Sequence, residues 1–263
     1  MKKFLVIGNP ISHSLSPKLH NYWIKKNNIN AIYEKRKIDL RDLENLVFTI
    51  KNQEMHGVNV TVPFKRDIIP FLDDLTDESK ITQSVNTVFM RDSKIIGHNT
   101  DAYGFEHAIK KTNYDLTNKN VFILGSGGVV PSLIFTLKKM KTSKIFISNR
   151  TKSKAEELQK TFKDLVVIEW GHIPDFDMII NATSLGLGKD DKIDLDFSKI
   201  GKNKFFYDVI YNPKETNFLK GGKKHSNKVE NGKLMFIYQA SASFKVWHDL
   251  EPKIDDEVIK LLD

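Results

Sequence analysis

The sequence predicts an α/β protein of two domains: an α/β domain and, after it, a doubly wound domain with a parallel sheet, with a cleft between the two. Two observations indicate this architecture. Short apolar runs alternate with helical segments along most of the chain, and one such run, Val121 to Leu124, leads directly into Gly125, Gly127 and Gly128 before the next helix. The length of 263 residues suits two domains of modest size and allows a real core to be buried.

The first half of the chain alternates between strand and helix. Ser16-Pro17 is typical of a helix start with serine at the N-cap, and Pro63 ends a strand because it has no N–H to donate. The predicted elements are strands Lys3 to Gly8, Ala31 to Ile38 and Gly57 to Pro63, helices Pro17 to Asn27 and Asp42 to Asn52, a helical segment through Leu72, a helix Asp77 to Gln83, paired strands Val85 to Met90 and Lys94 to Gly97, and a helix Ala102 to Lys111 capped by Asn99-Thr100-Asp101.

The second half continues the alternation after a polar, turn-like stretch, Asn113 to Lys119, which marks the domain boundary in or just after the preceding helix. The last predicted helix is expected to return towards the first domain. The predicted elements are strand Val121 to Leu124, helix Pro131 to Met140, strand Lys144 to Ser148, helix Lys152 to Phe162, strands Leu165 to Glu169, Met178 to Thr183 and Phe205 to Tyr211, a short strand and turn at Val229 to Gly232, and helix Met235 to Trp247.

The glycine turn after Leu124 has the context of a dinucleotide-binding motif. Glycine permits a sharp turn and close backbone approach, and the unpaired N–H groups at the following helix N-terminus attract an anion. The third small residue of the motif falls at Val130, which is larger than the usual glycine or alanine. A glycine turn that binds nothing remains the alternative at this point.

The end of the second strand of this unit indicates which dinucleotide binds. An acidic residue here accepts hydrogen bonds from the ribose of NAD, whereas Arg150, beside Lys152 and Lys154, suits the 2′-phosphate of NADP. A charge cluster is more often a solvated helix start, but its location at this strand end favours NADP.

Composition narrows the class of protein. A hydrophobic fraction of 40% and a charged fraction of 28% are typical of a soluble globular protein, and no apolar run approaches the about 20 residues that span a bilayer. The apolar run Phe4 to Ile7 is too short for a signal peptide, and the chain has no cysteine. The eight histidines have no zinc-ligand spacing. We therefore expect a cytoplasmic protein without a metal.

The net charge of +8 raises the question of a nucleic-acid partner. The lysines are spread along the chain, and their densest cluster, Lys220 to Lys228, is rich in glycine, serine and asparagine and predicts an exposed turn. An anionic cofactor and a small anionic substrate account for the charge, so we expect no nucleic acid.

Several polar residues lie where predicted strands end, the usual location of ligand sites in α/β sheets. Ser14 and Ser16 offer hydroxyls that can bind a carboxylate beside a helix N-terminus; Ser16 alone can be explained as a cap, whereas Ser14 has no capping role. Lys65 follows a strand, Asp101 starts a helix, and Asn86 lies inside an apolar run, where its amide needs partners.

Taken together, these motifs resemble the shikimate dehydrogenase family from Gly8 to Trp247. The Lys65 and Asp101 segments are the most specific parts, and the glycine loop is the least. The segments that carry the resemblance are Asn9-Pro10-Ile11-Ser12-His13-Ser14-Leu15-Ser16-Pro17, Asn59-Val60-Thr61-Val62-Pro63-Phe64-Lys65, Val85-Asn86-Thr87, Gly97-His98-Asn99-Thr100-Asp101, Gly125-Ser126-Gly127-Gly128, Asn149-Arg150-Thr151, Asn181-Ala182-Thr183, Asp208-Val209-Ile210-Tyr211-Asn212-Pro213, Asn231-Gly232-Lys233-Leu234-Met235 and Gln239-Ala240. Val129-Val130 and Leu234 depart from the family pattern, both on the cofactor side.

The resemblance implies a substrate-binding domain of residues 1–106 completed by a C-terminal helix at 235–263, and a Rossmann-type NADP-binding domain of residues 107–234. It implies the reversible, NADPH-dependent reduction of 3-dehydroshikimate to shikimate, a step of aromatic amino acid biosynthesis. The implied substrate contacts are Ser14, Ser16, Thr61, Lys65, Asn86, Asp101, Tyr211 and Gln239. The implied NADP contacts are Gly125, Ser126, Gly127, Gly128, Val129, Asn149, Arg150, Thr151, Lys154, Thr183, Val209, Gly232 and Met235.

Lys65 and Asp101 are the expected catalytic residues. As an ammonium, Lys65 can give a proton and a positive charge to the developing alkoxide; as an amine, it can take the hydroxyl proton in reverse. Asp101, if within hydrogen-bond reach, orients the lysine and favours its charged form. A quinate/shikimate dehydrogenase with relaxed cofactor choice and a catalytically silent NADP-binding sensor are the alternatives. We expect a monomer or homodimer that binds no membrane.

Overall fold

The computed structural model describes residues 1–188, 190–193 and 195–263. The chain divides into two compact units, which we call unit 1 (Met1–Phe105 with Ile237–Asp263) and unit 2 (Glu106–Phe236). In the described parts of the chain, no helix combines the length and the apolar character needed to cross a membrane.

Unit 1 is built on a mixed sheet with helices packed against it. Its elements are β1 (Lys2–Gly8), α1 (Ser16–Lys26), β2 (Ala31–Lys37), α2 (Leu43–Lys51), β3 (Gly57–Val60), β4 (Asp74–Leu75), α3 (Asp77–Thr82), β5 (Thr87–Arg91), β6 (Lys94–His98), the start of α4 (Asp101–Lys111), most of α8 (Lys233–His248) and α9 (Asp256–Leu261).

The strand order of this sheet is β2-β1-β3-β5-β6-β4. β1 runs parallel to β2 and β3, so the carboxyl ends of β1 and β3 meet at one edge of the sheet. β5 and β6 form an antiparallel hairpin whose turn residues Asp92 and Ser93 have φ values of 50° and 60°, as expected for a tight hairpin turn. Apolar residues of β1 and β3, including Leu5 and Val58, pack with α2 into one buried cluster.

Unit 2 is a parallel doubly wound sheet, as predicted. Its elements are the end of α4, β7 (Val121–Leu124), α5 (Val130–Lys139), β8 (Ile145–Ser148), α6 (Lys152–Thr161), β9 (Val166–Val167), β10 (Met178–Asn181), β11 (Phe205–Asp208), α7 (Asn217–Lys224), β12 (Lys228–Glu230) and the start of α8. The strand order is β12-β11-β10-β7-β8-β9, and neighbouring strands are parallel. The order reverses between β7 and β10, and ligands of such sheets bind outside the carboxyl ends of strands at this switch point.

Three strands of unit 2, β9, β10 and β11, end earlier than predicted, and side chains explain the last two. β10 stops at Asn181, whose Oδ1 accepts the backbone N–H of Thr183 at 3.0 Å. β11 stops at Asp208, whose Oδ1 accepts the backbone N–H of Ile210 at 3.0 Å. These side chains take over backbone donors that a continued strand would pair, and thereby turn the chain at the sheet edge.

The prediction of an exposed turn at Lys220 to Lys228 is wrong, because Asn217–Lys224 form helix α7. The side chain of Thr216 caps this helix. A Cβ on Gly221 would lie 2.4 Å from the ring of Phe197, and one on Gly222 would lie 2.7 Å from that of Phe206. The glycines therefore allow close packing of a helix rather than a turn.

The prediction of a helical segment from Phe64 to Leu72 is also wrong. The structure has turns there and a single 3₁₀ turn, Ile69–Phe71, because Pro70 has no N–H with which to continue a helix. The expected C-terminal helix at 235–263 is also not continuous: α8 ends at His248, residues 249–255 are not helical, and a second helix, α9, begins after its cap Asp255.

Candidate functional site

Lys65 and Asp101 form a buried, hydrogen-bonded ion pair in unit 1, between Nζ and Oδ2. Their side chains are only 10% and 8% exposed. Lys65 follows β3, and its carbonyl accepts the backbone N–H of Val85 at 2.8 Å. Since a buried charge without a partner is strongly unfavourable, each of these two side chains depends on the other.

Asp101 is held at the start of α4 by the preceding residues. Asn99 Oδ1 accepts the backbone N–H groups of Asp101 and Ala102 at 3.1 and 3.3 Å, which caps the helix as predicted. The carboxylate therefore lies in the first turn of α4, where the helix dipole favours a negative charge.

The amide of Asn86 is fixed beside this pair. The backbone N–H of Thr100 faces the Asn86 side chain at 2.8 Å, and because an N–H can only donate, the facing atom is Oδ1. Nδ2 is then directed at Asp101 Oδ1, at 2.9 Å, and at Gln239 Oε1, at 3.4 Å. The structure thus brings Lys65, Asn86, Asp101 and Gln239 together.

The roles of Ser14 and Ser16 at the start of α1 differ from the prediction. Helix α1 begins at Ser16 itself, and Ser14 Oγ accepts the backbone N–H of Ser16 at 3.3 Å. The prediction that Ser14 has no capping role is therefore wrong, and Ser16 is not the N-cap, because Leu15 occupies that position. Ser14 is half-buried and Ser16 is buried.

Thr61 lies just past β3, and its backbone N–H donates to the carbonyl of Ile7 on β1 at 2.9 Å. A Cβ on Gly8 would lie 2.6 Å from Thr61 Cγ2, so the close approach of the two strand ends requires glycine. Tyr211, the remaining predicted substrate contact, belongs to unit 2, where its ring stacks on Phe236 with centroids 4.4 Å apart.

The glycine turn of unit 2 follows β7 directly. Gly125 has φ +104°, and a Cβ there would lie 2.8 Å from the carbonyl oxygen of Ala182, so both the conformation and the packing require glycine. Gly127 and Gly128 are exposed ahead of α5. Val129 occupies the N-cap of α5 and provides no side-chain hydrogen bond there. Backbone rather than side chains forms this turn, as an anion cradle requires.

The basic residues after β8 differ in whether an acidic side chain lies close enough to pair with them. Lys152 pairs with Glu169 and lies 4.0 Å from Glu156. Arg150 and Lys154 are exposed, and across residues 1–188, 190–193 and 195–263 neither has an acidic side chain within ion-pair distance. Asn149 Nδ2 donates to the carbonyl of Thr151 at 2.8 Å and holds the turn that presents Arg150.

The buried carboxylate of Asp208 holds together the loops near Thr183 and Val209 by hydrogen bonds. Asp208 accepts hydrogen bonds from Asn181 Nδ2 at 3.0 Å, from the backbone N–H of Ile210 at 3.0 Å and from Thr216 Oγ1 at 2.6 Å. Burial raises the pKa of Asp208 to about 6, and the three donors oppose this shift. Asn181 in turn accepts both the backbone N–H and the hydroxyl of Thr183.

Gly232 lies at the turn that leads into α8, and Met235 lies in the first turn of that helix. The backbone N–H of Gly232 donates to the carbonyl of Ile210 at 3.1 Å, and a Cβ there would lie 2.1 Å from the carbonyl oxygen of Val209. Met235 is buried. Among the described residues, no group of three or more histidine, cysteine, aspartate or glutamate side chains is arranged to hold a metal ion.

The sequence matches known proteins over its whole length. The profile of the shikimate dehydrogenase substrate binding domain matches residues 6–88, and that of shikimate / quinate 5-dehydrogenase matches residues 106–188. The shikimate dehydrogenase (NADP(+)) of Pelagibacter ubique (strain HTCC1062) is 58% identical over 262 residues, which cover 100% of this chain and 99% of the relative. The chain belongs to the shikimate dehydrogenase family.

Solved structures of this family share the fold. A crystal structure of a shikimate dehydrogenase in complex with NADP+ superposes with a TM-score of 0.93 at 33% identity and covers 100% of this chain and 94% of that one. The enzyme of Thermus thermophilus, in complex with NADP(H) and shikimate, gives 0.90 at 28% identity, with coverage of 100% and 98%. The predicted family and α/β fold are therefore confirmed.

Sequence reasoning missed part of the polar interior of this family member. Tyr33, Asn59, Thr87, Thr100 and Ser243 are buried and hydrogen-bonded behind the Lys65–Asp101 pair. Asn59 and Thr87 interrupt apolar strands, which is the signal that drew attention to Asn86. Ser243 gives no such signal, because its side-chain partners lie more than 140 residues away in the sequence.

Proposed function

We propose that this protein is an NADP-dependent shikimate dehydrogenase that interconverts 3-dehydroshikimate and shikimate. The observation that carries the proposal is the buried Lys65–Asp101 pair with the Asn86 amide fixed against it. In a chain that is 58% identical to a shikimate dehydrogenase, a proton donor held in this way supports catalysis rather than a silent binding role.

Lys65 is the proton carrier in this proposal. In the direction of reduction, its ammonium group gives a proton to the oxygen of the reacting carbonyl and stabilises the negative charge that develops there. In the direction of oxidation, the neutral amine takes the proton of the substrate hydroxyl. Asp101 accepts a hydrogen bond from Nζ in the ammonium form, which limits the directions in which Lys65 can point.

The remaining unit 1 residues bind and orient the substrate. Asn86 and Gln239 offer amide groups next to the catalytic pair. Ser14 and Ser16 offer hydroxyls at the start of α1, where the helix dipole favours the substrate carboxylate. Following the family pattern, we assign the substrate contacts to Ser14, Ser16, Thr61, Lys65, Asn86, Asp101, Tyr211 and Gln239.

The residues of unit 2 fit NADP. The turn at Gly125 presents backbone to a pyrophosphate, and Arg150 and Lys154 have charge available for a 2′-phosphate. When bound, the reduced nicotinamide supplies the hydride. We assign cofactor contacts to Gly125, Ser126, Gly127, Gly128, Val129, Asn149, Arg150, Thr151, Lys154, Thr183, Val209, Gly232 and Met235.

We assign substrate binding to residues 1–106 with 235–263 and NADP binding to residues 107–234. The division of the chain after Phe105 and Phe236 supports this assignment. The enzyme acts in the cytoplasm as a monomer or homodimer, without a nucleic-acid or membrane partner. The spread of its lysines and the absence of cysteine support this part of the proposal.

The test is a spectrophotometric assay of the purified protein with shikimate and NADP+, following the formation of reduced nicotinamide. Parallel reactions contain NAD+ in place of NADP+, or quinate in place of shikimate. Rapid reduction only with shikimate and NADP+ supports the proposal. Comparable rates with quinate or NAD+ would indicate the broader quinate/shikimate enzyme, and NADP+ binding without turnover would indicate a silent sensor.

A further inference from the structure

A buried cluster of hydroxyl and amide groups lies behind the Lys65–Asp101 pair in unit 1. We call Asn59, Thr87, Thr100 and Ser243 the support network. Thr87, Thr100 and Ser243 are 0% exposed, and Asn59 is 7% exposed. None of the four is a proposed ligand contact.

Hydrogen-bond roles at one end of the network are fixed by backbone and phenol groups. Asn59 Nδ2 faces the carbonyl of Asn86 at 3.0 Å, and because a carbonyl only accepts, this atom is the donor. Asn59 Oδ1 therefore accepts the Tyr33 hydroxyl at 2.6 Å. The second Nδ2 proton of Asn59 is directed at Ser243 Oγ, 3.0 Å away, and Thr87 Oγ1, 3.1 Å away.

At the other end, the hydroxyls of Thr87 and Thr100 lie 3.4 Å from each other and share two closer acceptors. Thr87 Oγ1 and Thr100 Oγ1 each lie 3.1 Å from Asn86 Oδ1, and they lie 2.7 and 3.1 Å from Ser243 Oγ. Asn86 Oδ1 already accepts the Thr100 backbone N–H, so it has one lone pair left.

Ser243 provides the second acceptor that the two threonine protons need. Its own proton goes to the carbonyl of Gln239, at 3.1 Å, one turn earlier in α8. One lone pair accepts from Asn59, and the other is left for a threonine proton. With Ser243 present, each threonine proton has an acceptor at 3.1 Å or less. Without it, the two protons share the remaining lone pair of Asn86 Oδ1, and the one left over has only the other threonine hydroxyl, 3.4 Å away.

We propose that Ser243 is a positioning residue: its buried hydroxyl completes the support network that fixes the Asn86 amide and thereby aims Asp101 at Lys65. The inference rests on the proposed function, because the reaction is the process that requires this aim. The path has three steps, from Ser243 to a threonine hydroxyl, from that hydroxyl to Asn86 Oδ1, and from Asn86 Nδ2 to Asp101 Oδ1. Buried networks in which each group is satisfied hold one arrangement of side chains.

The first test compares Ser243→Ala with Ser241→Ala in the full-length protein. Ser241 lies on the same helix and is buried to a similar degree, at 3% exposed, but is not part of the support network. For shikimate oxidation with NADP+, we expect Ser243→Ala to lower kcat about tenfold while the KM for NADP+ changes by less than about twofold. Its pH profile of kcat should shift, because the proton carrier is no longer held in one geometry. Ser241→Ala should match the wild type in all three measurements.

A second pair of variants separates positioning from a loss of stability. Thr87→Val keeps the shape of the side chain but removes the hydroxyl, whereas Thr87→Ser keeps the hydroxyl. We expect Thr87→Val to lower kcat and shift the pH profile in the same way as Ser243→Ala, and Thr87→Ser to restore both. Melting temperatures measured in parallel show whether the variants are folded.

Two results would overturn the proposal: a Ser243→Ala enzyme with the kcat and pH profile of Ser241→Ala, or a Thr87→Ser enzyme as impaired as Thr87→Val. If the wild type does not oxidise shikimate, the proposed function fails, and the network is then tested by NMR without substrate. The side-chain amide signals of Asn86 should be single and well dispersed in the wild type and Ser241→Ala, and broadened or doubled in Ser243→Ala. Unchanged signals in Ser243→Ala would overturn the inference independently of activity.

Discussion

The two units stabilise a buried carboxylate with different kinds of partner. In unit 1, the carboxylate of Asp101 is buried against the ammonium group of Lys65, so the two charges compensate each other. In unit 2, the carboxylate of Asp208 is fully buried with hydrogen bonds from neutral donors, and the cations Arg150 and Lys154 remain exposed.

The difference reflects what each unit is proposed to do. A proton carrier needs a fixed geometry, which a closed set of side-chain hydrogen bonds provides. A dinucleotide site needs backbone N–H groups and accessible positive charge, which a glycine turn and exposed basic residues provide. Under the proposed function, the buried polar side chains of unit 1 hold the catalytic pair, and those of unit 2 shape the loops proposed to contact the cofactor.

The largest expected effect is on the proton carrier. Lys65→Met should lower kcat by roughly two to four orders of magnitude, because the ammonium that donates the proton is removed while most of the side-chain volume stays. The measurement is steady-state shikimate oxidation with NADP+. The matched control is Lys80→Met, which removes a lysine paired at 3.1 Å with Asp74 but about half exposed, and which should leave kcat unchanged. Near-wild-type turnover in Lys65→Met would remove the role assigned to this lysine.

Buried histidines make unit 1 sensitive to acid. Burial, with the nearby His248, lowers the pKa of His20 to about 3, while the unfolded chain takes up this proton near 6.5. The stability from neutral His20 is complete above about pH 6.5 and declines as the pH falls towards 3, by a few kcal/mol in all. Urea unfolding at pH 7 and pH 4 should show a smaller loss for His20→Phe than for the wild type. Equal losses in the two proteins would contradict the burial argument.

For Asp208 in unit 2 we expect the opposite dependence of stability on pH. Its pKa of about 6 lies above the ordinary 3.8, so between these two pH values the folded protein holds a proton on Asp208 that the unfolded chain has lost. The free energy of unfolding therefore decreases as the pH rises from about 4 to above 6, by up to about 3 kcal/mol from this group. Asp208→Asn removes this titration, so its stability relative to the wild type should increase between pH 4 and pH 7.5. A constant difference across that range would show that Asp208 titrates normally.

The smallest expected effect concerns the exposed cations. Arg150→Ala should raise the KM for NADP+ about tenfold and leave the KM for NAD+ unchanged, because only NADP+ has a 2′-phosphate. Lys152→Ala is the control, since Lys152 is already paired with Glu169 and should contribute less to NADP+ binding. An equal effect of Arg150→Ala on both cofactors would argue against a 2′-phosphate contact.

Local patterns in the sequence predicted the parts of the structure that depend on neighbouring residues. The strand, glycine turn and helix around Gly125 are continuous in sequence, and Asn86 stood out as an amide in an apolar run. The capping of α4 by Asn99 was predicted for the same reason.

Features that depend on tertiary packing could not be predicted in this way. The glycines of α7 resemble a turn until the rings of Phe197 and Phe206 are placed against them. The side-chain partners of Ser243 come from β3, from β5 and from the residue before α4, and they are distant in sequence. The position of Ser14 as an acceptor depends on where α1 begins, and boundaries of this kind are set by geometry rather than by residue type.

The most direct test of the division of labour between the units uses a single variant, Asp101→Asn, with two measurements on the same sample. The substitution keeps the shape of the side chain but removes the charge that pairs with Lys65. We predict that NADP+ binds with wild-type affinity in a fluorescence titration while kcat for shikimate oxidation falls by roughly two orders of magnitude or more. Turnover near the wild-type rate would contradict the assignment of proton chemistry to the Lys65–Asp101 pair.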